Sequence, residues 1–300
     1  LRYTSLMRQK TNILLGLCFA AIYLAVFFSA KVSGPALNQL QVSFLDIGQG
    51  DAIYIKAPNG KDMLIDGGKT SAGLTKKLKN AMAPGDTSID IVLATHPDAD
   101  HIGGLPMIIE NYSVGEFIEP GVTSGSKLYG TLLSDISTNK VPYLLARTGM
   151  TITLDDTRGI TFTVLAPALI YEGEDTNDAS IVGILKYGEK KFMLTGDAGV
   201  AAEKEILENR SGLSALKNIS ADVLKLGHHG SRTSTSVAFL EAVHPGTAIV
   251  SAGCDNSYGH PHQEVVERVA AQKILTFSTC TSGTITFMTD GVTLSRSTEK

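Results

Sequence analysis

The chain has no tryptophan, only three cysteines, and aromatic residues make up 6% of its 300 positions. Three cysteines allow at most one internal bridge, so the fold must rest on apolar burial rather than on a disulfide framework. No internal repeat and no low-complexity tract is present, which excludes a stacked array. A basic excess is also missing. The net charge is −4, and residues 1–31 hold Arg2, Arg8, Lys10 and Lys31 with no acid, so 22 of the 26 basic residues face all 30 acids in the remainder, a balance of −8. An acidic body argues against broad non-specific nucleic-acid binding, which needs a basic footprint. It leaves room for a local basic groove, or for a metal centre that takes phosphate.

What is present is an ordinary globular balance, 43% apolar and 19% charged, with length for one large domain or two small ones. The 30 glycines imply tight turns and close backbone approaches, common in α/β enzymes. From Thr11 to Ala30 no residue is charged. A helix of that length spans roughly 30 Å, the hydrocarbon thickness of a bilayer. Arg2, Arg8 and Lys10 precede it and Lys31 follows, a bias that keeps the N-terminus in the cytoplasm and sends the rest outside. The segment is apolar on all faces, unlike an amphipathic core helix. It reads as a signal-anchor or a cleaved signal peptide. The anchor is favoured, because Phe28-Ser29-Ala30 and Val32-Ser33-Gly34 approximate a small-x-small cleavage site poorly. The expectation is therefore a membrane partner through residues 11–30 and a catalytic domain outside the cytoplasm, secreted if the segment is cleaved. The domains expected are 1–31 as flank and anchor, 32–40 as linker, and 41–300 as the folded body. Cys18 lies in the apolar segment after Leu17, which does not fit a lipid-attachment site; Cys254 and Cys280 form a disulfide or remain two buried thiols.

Strands are expected at 42–47, 52–57, 62–65, 89–94, 114–119, 151–154, 160–165, 180–187, 190–195, 221–226, 247–251, 273–277 and 283–288. Helices are expected at 70–82, 103–112, 126–139, 199–209, 235–243 and 262–272. Strand pairs early, then strands mixed with helices, indicate an α/β layered domain.

The densest chemistry is Thr95-His96-Pro97-Asp98-Ala99-Asp100-His101-Ile102-Gly103-Gly104, between a strand end and a helix. Neutral imidazole suits zinc and other transition metals, and carboxylates suit harder ions such as manganese. Four potential ligands this close point to two metals sharing the cluster. A solvated acidic turn would explain the aspartates but not the interleaved histidines.

This H-x-D-x-D-H run resembles the H-x-H-x-D-H signature of metallo-β-lactamase-fold hydrolases, with Asp98 replacing the second histidine. That variant is similar to the hydrolase domain of the ComEC family of bacterial DNA-uptake competence proteins. Further similar segments follow in order over roughly 41–290: the strand and turn 44–52, which contains Asp46, Gln49 and Asp51; Leu64-Ile65-Asp66-Gly67-Gly68; Asn177-Asp178-Ala179-Ser180; Phe192–Asp197; Leu224–Ser231; and Asn256–Pro261. Full-length members also carry a multi-pass channel, for which 300 residues are too few, so the resemblance supports the hydrolase and not a translocase.

The resemblance implies an αβ/βα sandwich, with two mixed sheets back to back and helices outside. It also implies two divalent ions, zinc or manganese, held by His96, Asp98, Asp100, His101, Asp197 and His229. Asp197 would bridge the metals, although an aspartate there also suits a helix N-cap. His229 is preferred to His228, which is the alternative ligand or a neighbour of the ligands. Asp100 would orient or deprotonate water, and His260 would donate a proton to the leaving group, although a lone loop histidine is more often plain surface. Asp46, Gln49, Asp51, Asp66, Asn177, Ser180, Lys225, His228 and Ser231 are expected to support ligands or touch substrate. Among these, Asp66 would fix an imidazole tautomer or merely serve a turn, and Ser231 would bond a phosphate or cap a helix. No histidine is available near Asn177 and Ser180, where many superfamily members place one. Lys225, Arg232 and Lys186 are candidates for a basic groove.

The expected function is metal-assisted hydrolysis by a hydroxide held on the metals. A phosphodiester, DNA first, is the leading substrate. The alternatives are lactone, ester or thioester hydrolysis on the same fold, or a non-catalytic, metal-stabilised binding module of an envelope DNA-uptake apparatus. The intact cluster argues against the last.

Overall fold

The computed structural model describes residues 38–169, 175–209 and 218–300. Period-two alternation sorts the strand side chains between two faces. β1 (Leu40–Phe44), β2 (Ile53–Lys56), β3 (Asp62–Ile65), β4 (Ser88–Leu93) and β5 (Ser113–Glu119) send Val42, Phe44, Ile53, Ile55, Met63, Ile65, Ile91, Leu93 and Ile118 into a central layer. Their alternate residues Tyr54, Leu64, Val92 and Phe117 face the other way, onto the helices Ser71–Ala81, Leu105–Asn111 and Lys127–Thr138.

The second half repeats this plan. The remaining strands are β6 (Tyr143–Leu145), β7 (Thr151–Asp155), β8 (Ile160–Ala166), β9 (Val182–Tyr187), β10 (Lys190–Leu194), β11 (Val223–Lys225), β12 (Thr247–Val250), β13 (Leu275–Ser278), β14 (Ile285–Thr289) and β15 (Leu294–Thr298). One sheet runs β15-β14-β1-β2-β3-β4-β5-β6 and the other β13-β12-β11-β10-β9-β8-β7. Phe162, Leu185, Phe192, Val223 and Ile249 meet the first sheet in the shared core. Leu165, Met193, Leu224, Ala248 and Val250 pack on helices Val200–Asn209, Val237–Val243 and Gln263–Ala271. The architecture is thus helix, sheet, sheet, helix, the expected αβ/βα sandwich.

Each sheet is part antiparallel and part parallel. β3 through β6 pair in parallel, as do β10 through β13. The loops leaving the carboxyl ends of β3, β4, β10, β11 and β12 carry the site, the usual place for ligands in parallel sheets. Leu40–Lys300 is one compact unit. Cys254 and Cys280 form a disulfide, with Cα atoms 5.0 Å apart.

Three expectations change. The membrane segment at 11–30 lies outside the described residues, and among the described residues no helix is long and apolar enough to cross a membrane. The fold class is therefore corrected to the sandwich alone; the membrane partner and the location inferred from that segment are not carried forward. The helix expected over 103–112 runs over Leu105–Asn111, and a short helix that was not expected, Ala99–Ile102, precedes it across Gly103-Gly104. A Cβ on Gly103 would overlap the Lys69 carbonyl oxygen, so this joint has no room for a side chain. Strands β6 and β15 were not expected at all.

Candidate metal centre

The loop after β4 delivers His96, Asp98, Asp100 and His101, and its shape depends on the loop before β2. Gly50, at φ +113°, lies against the Asp100 backbone, where a Cβ would overlap the Asp100 carbonyl oxygen. The same oxygen accepts the Asp51 N–H at 3.3 Å. Asp66 follows β3 at φ +59°, and His228 and His229 follow β11 at φ +46° and +55°. Left-handed backbone is unfavourable for such residues and persists where surrounding structure enforces it, often at functional sites.

Asp66 is fully buried and organises the first half of the site. It accepts the Thr95 N–H at 2.7 Å and the Thr95 hydroxyl at 2.8 Å. His101 Nδ1 lies 2.8 Å from Asp66 Oδ2; an ionised carboxylate can only accept, so Nδ1 carries the proton. His229 is set in the same way, donating from Nδ1 to the Ser251 carbonyl at 2.7 Å. In both rings Nε2 is then the nitrogen left for a metal, which would take the place of the proton that the facing carboxylates favour there.

Those nitrogens converge on Asp197, which follows β10. Asp197 Oδ2 is 3.3 Å from His101 Nε2, 3.2 Å from His229 Nε2 and 3.8 Å from His228 Nε2. Asp100 Oδ2 is 3.4 Å from His229 Nε2. The His96 and His101 rings lie 4.1 Å apart. His96 Nε2, His101 Nε2 and His229 Nε2 are buried without a well-formed hydrogen bond, an arrangement that costs free energy unless something else binds them. Donor atoms of His96, His101 and Asp197, of Asp100, His101 and His229, and of Asp51, Asp197 and His229 lie within 4.8 Å of one another in each set. The residues present therefore fit divalent metal.

Burial and the mutual charges of the cluster set the protonation of these groups. Burial would push Asp197 up, but His101, His229 and Lys225 hold it well below the usual carboxylate range. Burial would raise Asp100 too, yet the adjacent His229 and His101 rings keep it well below its ordinary value. Burial would lower His101 and His229, but Asp197, with Asp66 beside the first and Asp100 beside the second, holds both well above theirs. His96, where burial dominates, is pushed well down.

Of the other expected residues, Asp51 is buried against the Lys225 ammonium. Lys225 is itself fully buried, 3.4 Å from Asp197 Oδ1, and donates to the Gly196 carbonyl at 2.7 Å. It is thus a neutralising cation beneath the cluster, and its place in a substrate groove is corrected. Lys186 lies within β9, opposite Lys191 and Thr161 rather than at a strand end. Ser180 Oγ is 3.4 Å from His96 Nδ1 and accepts the Asp197 N–H at 3.1 Å. Gln49 Oε1 accepts the Gly253 N–H at 3.3 Å, tying the first loop to the loop that carries His260. Ser231 Oγ is 3.0 Å from the Thr233 hydroxyl.

Two residues stand apart from the cluster centre. Asp98 is 41% exposed, lies 3.9 Å from His96 Nε2, and accepts the Thr176 hydroxyl at 2.6 Å. Asp46 is not brought to the cluster; its carboxylate faces Lys300 at 3.2 Å and Lys77 at 3.8 Å. A cavity of about 330 Å³ opens beside Asp197 and His228, lined also by Asn177, Asp178, Gly199 and Thr233. The His260 ring lies 5.4 Å from His228 and 6.1 Å from His229. Burial, with help from His228, holds it down at about 4, so it is neutral at pH 7.

Thr95 and Ser251 were missed by the sequence reading. A hydroxyl beside His96 was a usable signal for Thr95. Ser251 acts through its backbone carbonyl, which leaves no trace in residue type.

Residues 45–253 match the model of the Metallo-beta-lactamase superfamily. "ComE operon protein 3" of Bacillus subtilis is 29% identical over 91% of this chain, "Recombination protein 2" of Haemophilus influenzae 30% over 93%, and "Competence protein ComA" of Neisseria gonorrhoeae 28% over 90%. The chain spans about a third of the length of these relatives, between 32% and 35%. Among solved structures, the metallo hydrolase Igni18 of Ignicoccus hospitalis aligns over 83% of this chain and 98% of its own, with a TM-score of 0.51 at 16% identity. The diiron β-hydroxylase CmlA of Streptomyces venezuelae aligns over 79% of this chain and 52% of its own, with a TM-score of 0.53 at 15% identity. At these identities the two structures share the fold alone, and it is the donor cluster together with the family match that shows this chain to be a metal-dependent hydrolase belonging to the metallo-beta-lactamase superfamily.

Proposed function

We propose that the chain is a phosphodiesterase acting on nucleic-acid strands, with DNA the leading substrate and two divalent ions, zinc or manganese, as cofactors. The observation that carries the metal chemistry is the convergence of two unpartnered buried ring nitrogens, those of His101 and His229, on one carboxylate, with a third, that of His96, beside them. The substrate class is supported by the relatives, one named a competence protein and another a recombination protein.

In this reading His96, Asp98, Asp100, His101, Asp197 and His229 would hold the metals, and Asp197, with one oxygen facing both His101 and His229, would be the carboxylate they share. When bound, the cations would supply Lewis acidity and an acidified water. Asp100, held ionised, would accept a hydrogen bond from the attacking water and orient it; a carboxylate so far below its ordinary pKa is a poor store for the proton. The cavity beside Asp197 receives the phosphodiester, with Asn177 and Thr233 as hydrogen-bond donors on its wall. His260 meets the substrate as a neutral imidazole. It becomes a proton donor only when the phosphate's own charge raises its pKa. Asp66, Ser180 and the Asp51–Lys225 pair position the ligands.

The test is hydrolysis of single- and double-stranded DNA and of bis(p-nitrophenyl) phosphate by the metal-loaded chain, beside a His96→Ala/Asp98→Ala variant. Metal-dependent cleavage lost in the variant is the expected result. Metal binding without cleavage of any of the three would overturn the phosphodiester reading and favour a lactone or ester substrate.

A further inference from the structure

The loop after β12 carries an aromatic residue that the chemistry above does not use. Tyr258 is 59% exposed, yet its ring is not loose on the surface: it stacks on His260 at 5.6 Å with only 19° between the planes. The loop beneath is held by Asn256. Its side chain donates to the Gly253 and His260 carbonyls at 2.8 and 2.7 Å and accepts the His260 N–H at 2.9 Å. The Cys254–Cys280 disulfide and the Gln49 contact anchor the start of the same loop. Tyr258 is therefore a large apolar face held in place but left open on one side. A single exposed aromatic is ordinary on a protein surface; what sets this one apart is that it is fixed beside the cluster.

Its position points to a use. His260 lies between Tyr258 and the His228–His229 pair, so the open ring is one ring-width out from the cluster. His262 packs edge-on to His260 at 4.8 Å and accepts the Arg232 N–H at 3.0 Å, which brings Arg232 to the same rim. The Arg232 side chain is 61% exposed and, among the described residues, pairs only with the exposed Glu264, at 3.9 Å. A pair of that kind is worth little in water, so the guanidinium is available to a phosphate.

We propose that Tyr258, backed by His260 and flanked by Arg232, is a stacking subsite for a nucleobase adjoining the phosphodiester under attack, and that the substrate is single-stranded. The proposal rests on the phosphodiesterase reading above. A base within a duplex offers no free face to an edge-mounted ring, whereas a single strand does. With 30 acids against 26 basic residues, stacking and the metal centre would supply much of the affinity for a strand.

The lack of tryptophan supplies the test. Tyr258→Trp introduces a single indole at the proposed subsite, and octathymidylate is added to the variant with the metal removed. Quenching by this strand, and not by an abasic strand of equal length, is expected. Absence of quenching by either, or equal quenching by both, overturns the proposal. In the metal-loaded chain, Tyr258→Ala should lower kcat/KM on single-stranded DNA about 5- to 150-fold, the range of one base–aromatic stack, through KM. Tyr258→Phe should retain activity, and cleavage of the abasic strand should be unchanged. Equal losses on both strands would also overturn it. If wild type cleaves no strand at all, the phosphodiesterase reading has failed, and the quenching experiment still decides the subsite by itself.

Discussion

Asp197 and Glu203 are close in sequence and both buried, yet their surroundings differ. Glu203 is held entirely by protein: the Ser236 N–H donates to it at 2.9 Å and the Thr235 N–H closes on its other oxygen. Arg268, which caps the Ser234 and Thr235 carbonyls at 2.9 and 2.7 Å, adds a favourable charge. Burial raises the Glu203 pKa, but every polar group in that joint has a partner. Around Asp197 the backbone N–H is satisfied by Ser180, while the facing Nε2 atoms of His101 and His229, and that of His96 beside them, are not. The contrast separates a carboxylate that holds structure from one that awaits a ligand. Burial and charge are common to both, and the unpartnered donors are what distinguish them.

The sharpest way to break the comparison is to remove each acid. Asp197→Ala should reduce metal-supported hydrolysis to background while the protein stays folded, as read by turnover and circular dichroism. If activity survives, Asp197 is no ligand. Next in size, Asp66→Ala removes the partner of His101 Nδ1 and should weaken metal affinity or activity about 10- to 100-fold, measured by metal titration. An unchanged affinity would mean that Asp66 serves only its turn.

Glu203→Ala should act in the opposite sense. It strands two buried N–H groups and should cost about 1–3 kcal/mol of stability in urea unfolding, with metal stoichiometry per folded chain unchanged. A loss of metal would erase the distinction drawn here. The smallest effect is expected at an exposed acid. Glu299 is held down at about 2 by the Lys77 ammonium at 2.5 Å and by the Thr284 N–H at 3.0 Å. Its folded pKa lies below the ordinary 4.5, so its stabilisation is fully present above that value and is lost as pH falls toward 2. Because the side chain is 42% exposed, solvent screening limits Glu299→Gln to about 0.2–1 kcal/mol at pH 7. The gap from wild type should close on acidification; a gap that widens would contradict the assignment.

Much of this was legible in the sequence, for identifiable reasons. Alternation in β1 to β5 and the apolar runs of β10 and β11 mark strands that must bury side chains, so their existence followed from pattern. Tyr143–Leu145 is too short, and Leu294–Thr298 too polar, to show such a period. The H-x-D-x-D-H run announced the cluster because donors adjacent in sequence need little folding to meet. Lys225 was read toward a groove because residue type does not reveal depth, and its pairing with Asp51 joins distant loops. The tautomers of His101 and His229 depend on Asp66 and on a backbone carbonyl, and so became visible only in three dimensions.

The central claim is that the three unpartnered ring nitrogens are ligand atoms. Calorimetric titration of manganese or zinc into the metal-stripped chain, beside a folded His96→Ala/His101→Ala variant, tests it most directly. The account predicts two ions per wild-type chain and loss of that binding in the variant. Equal binding by both proteins, or none by the wild type, would contradict it.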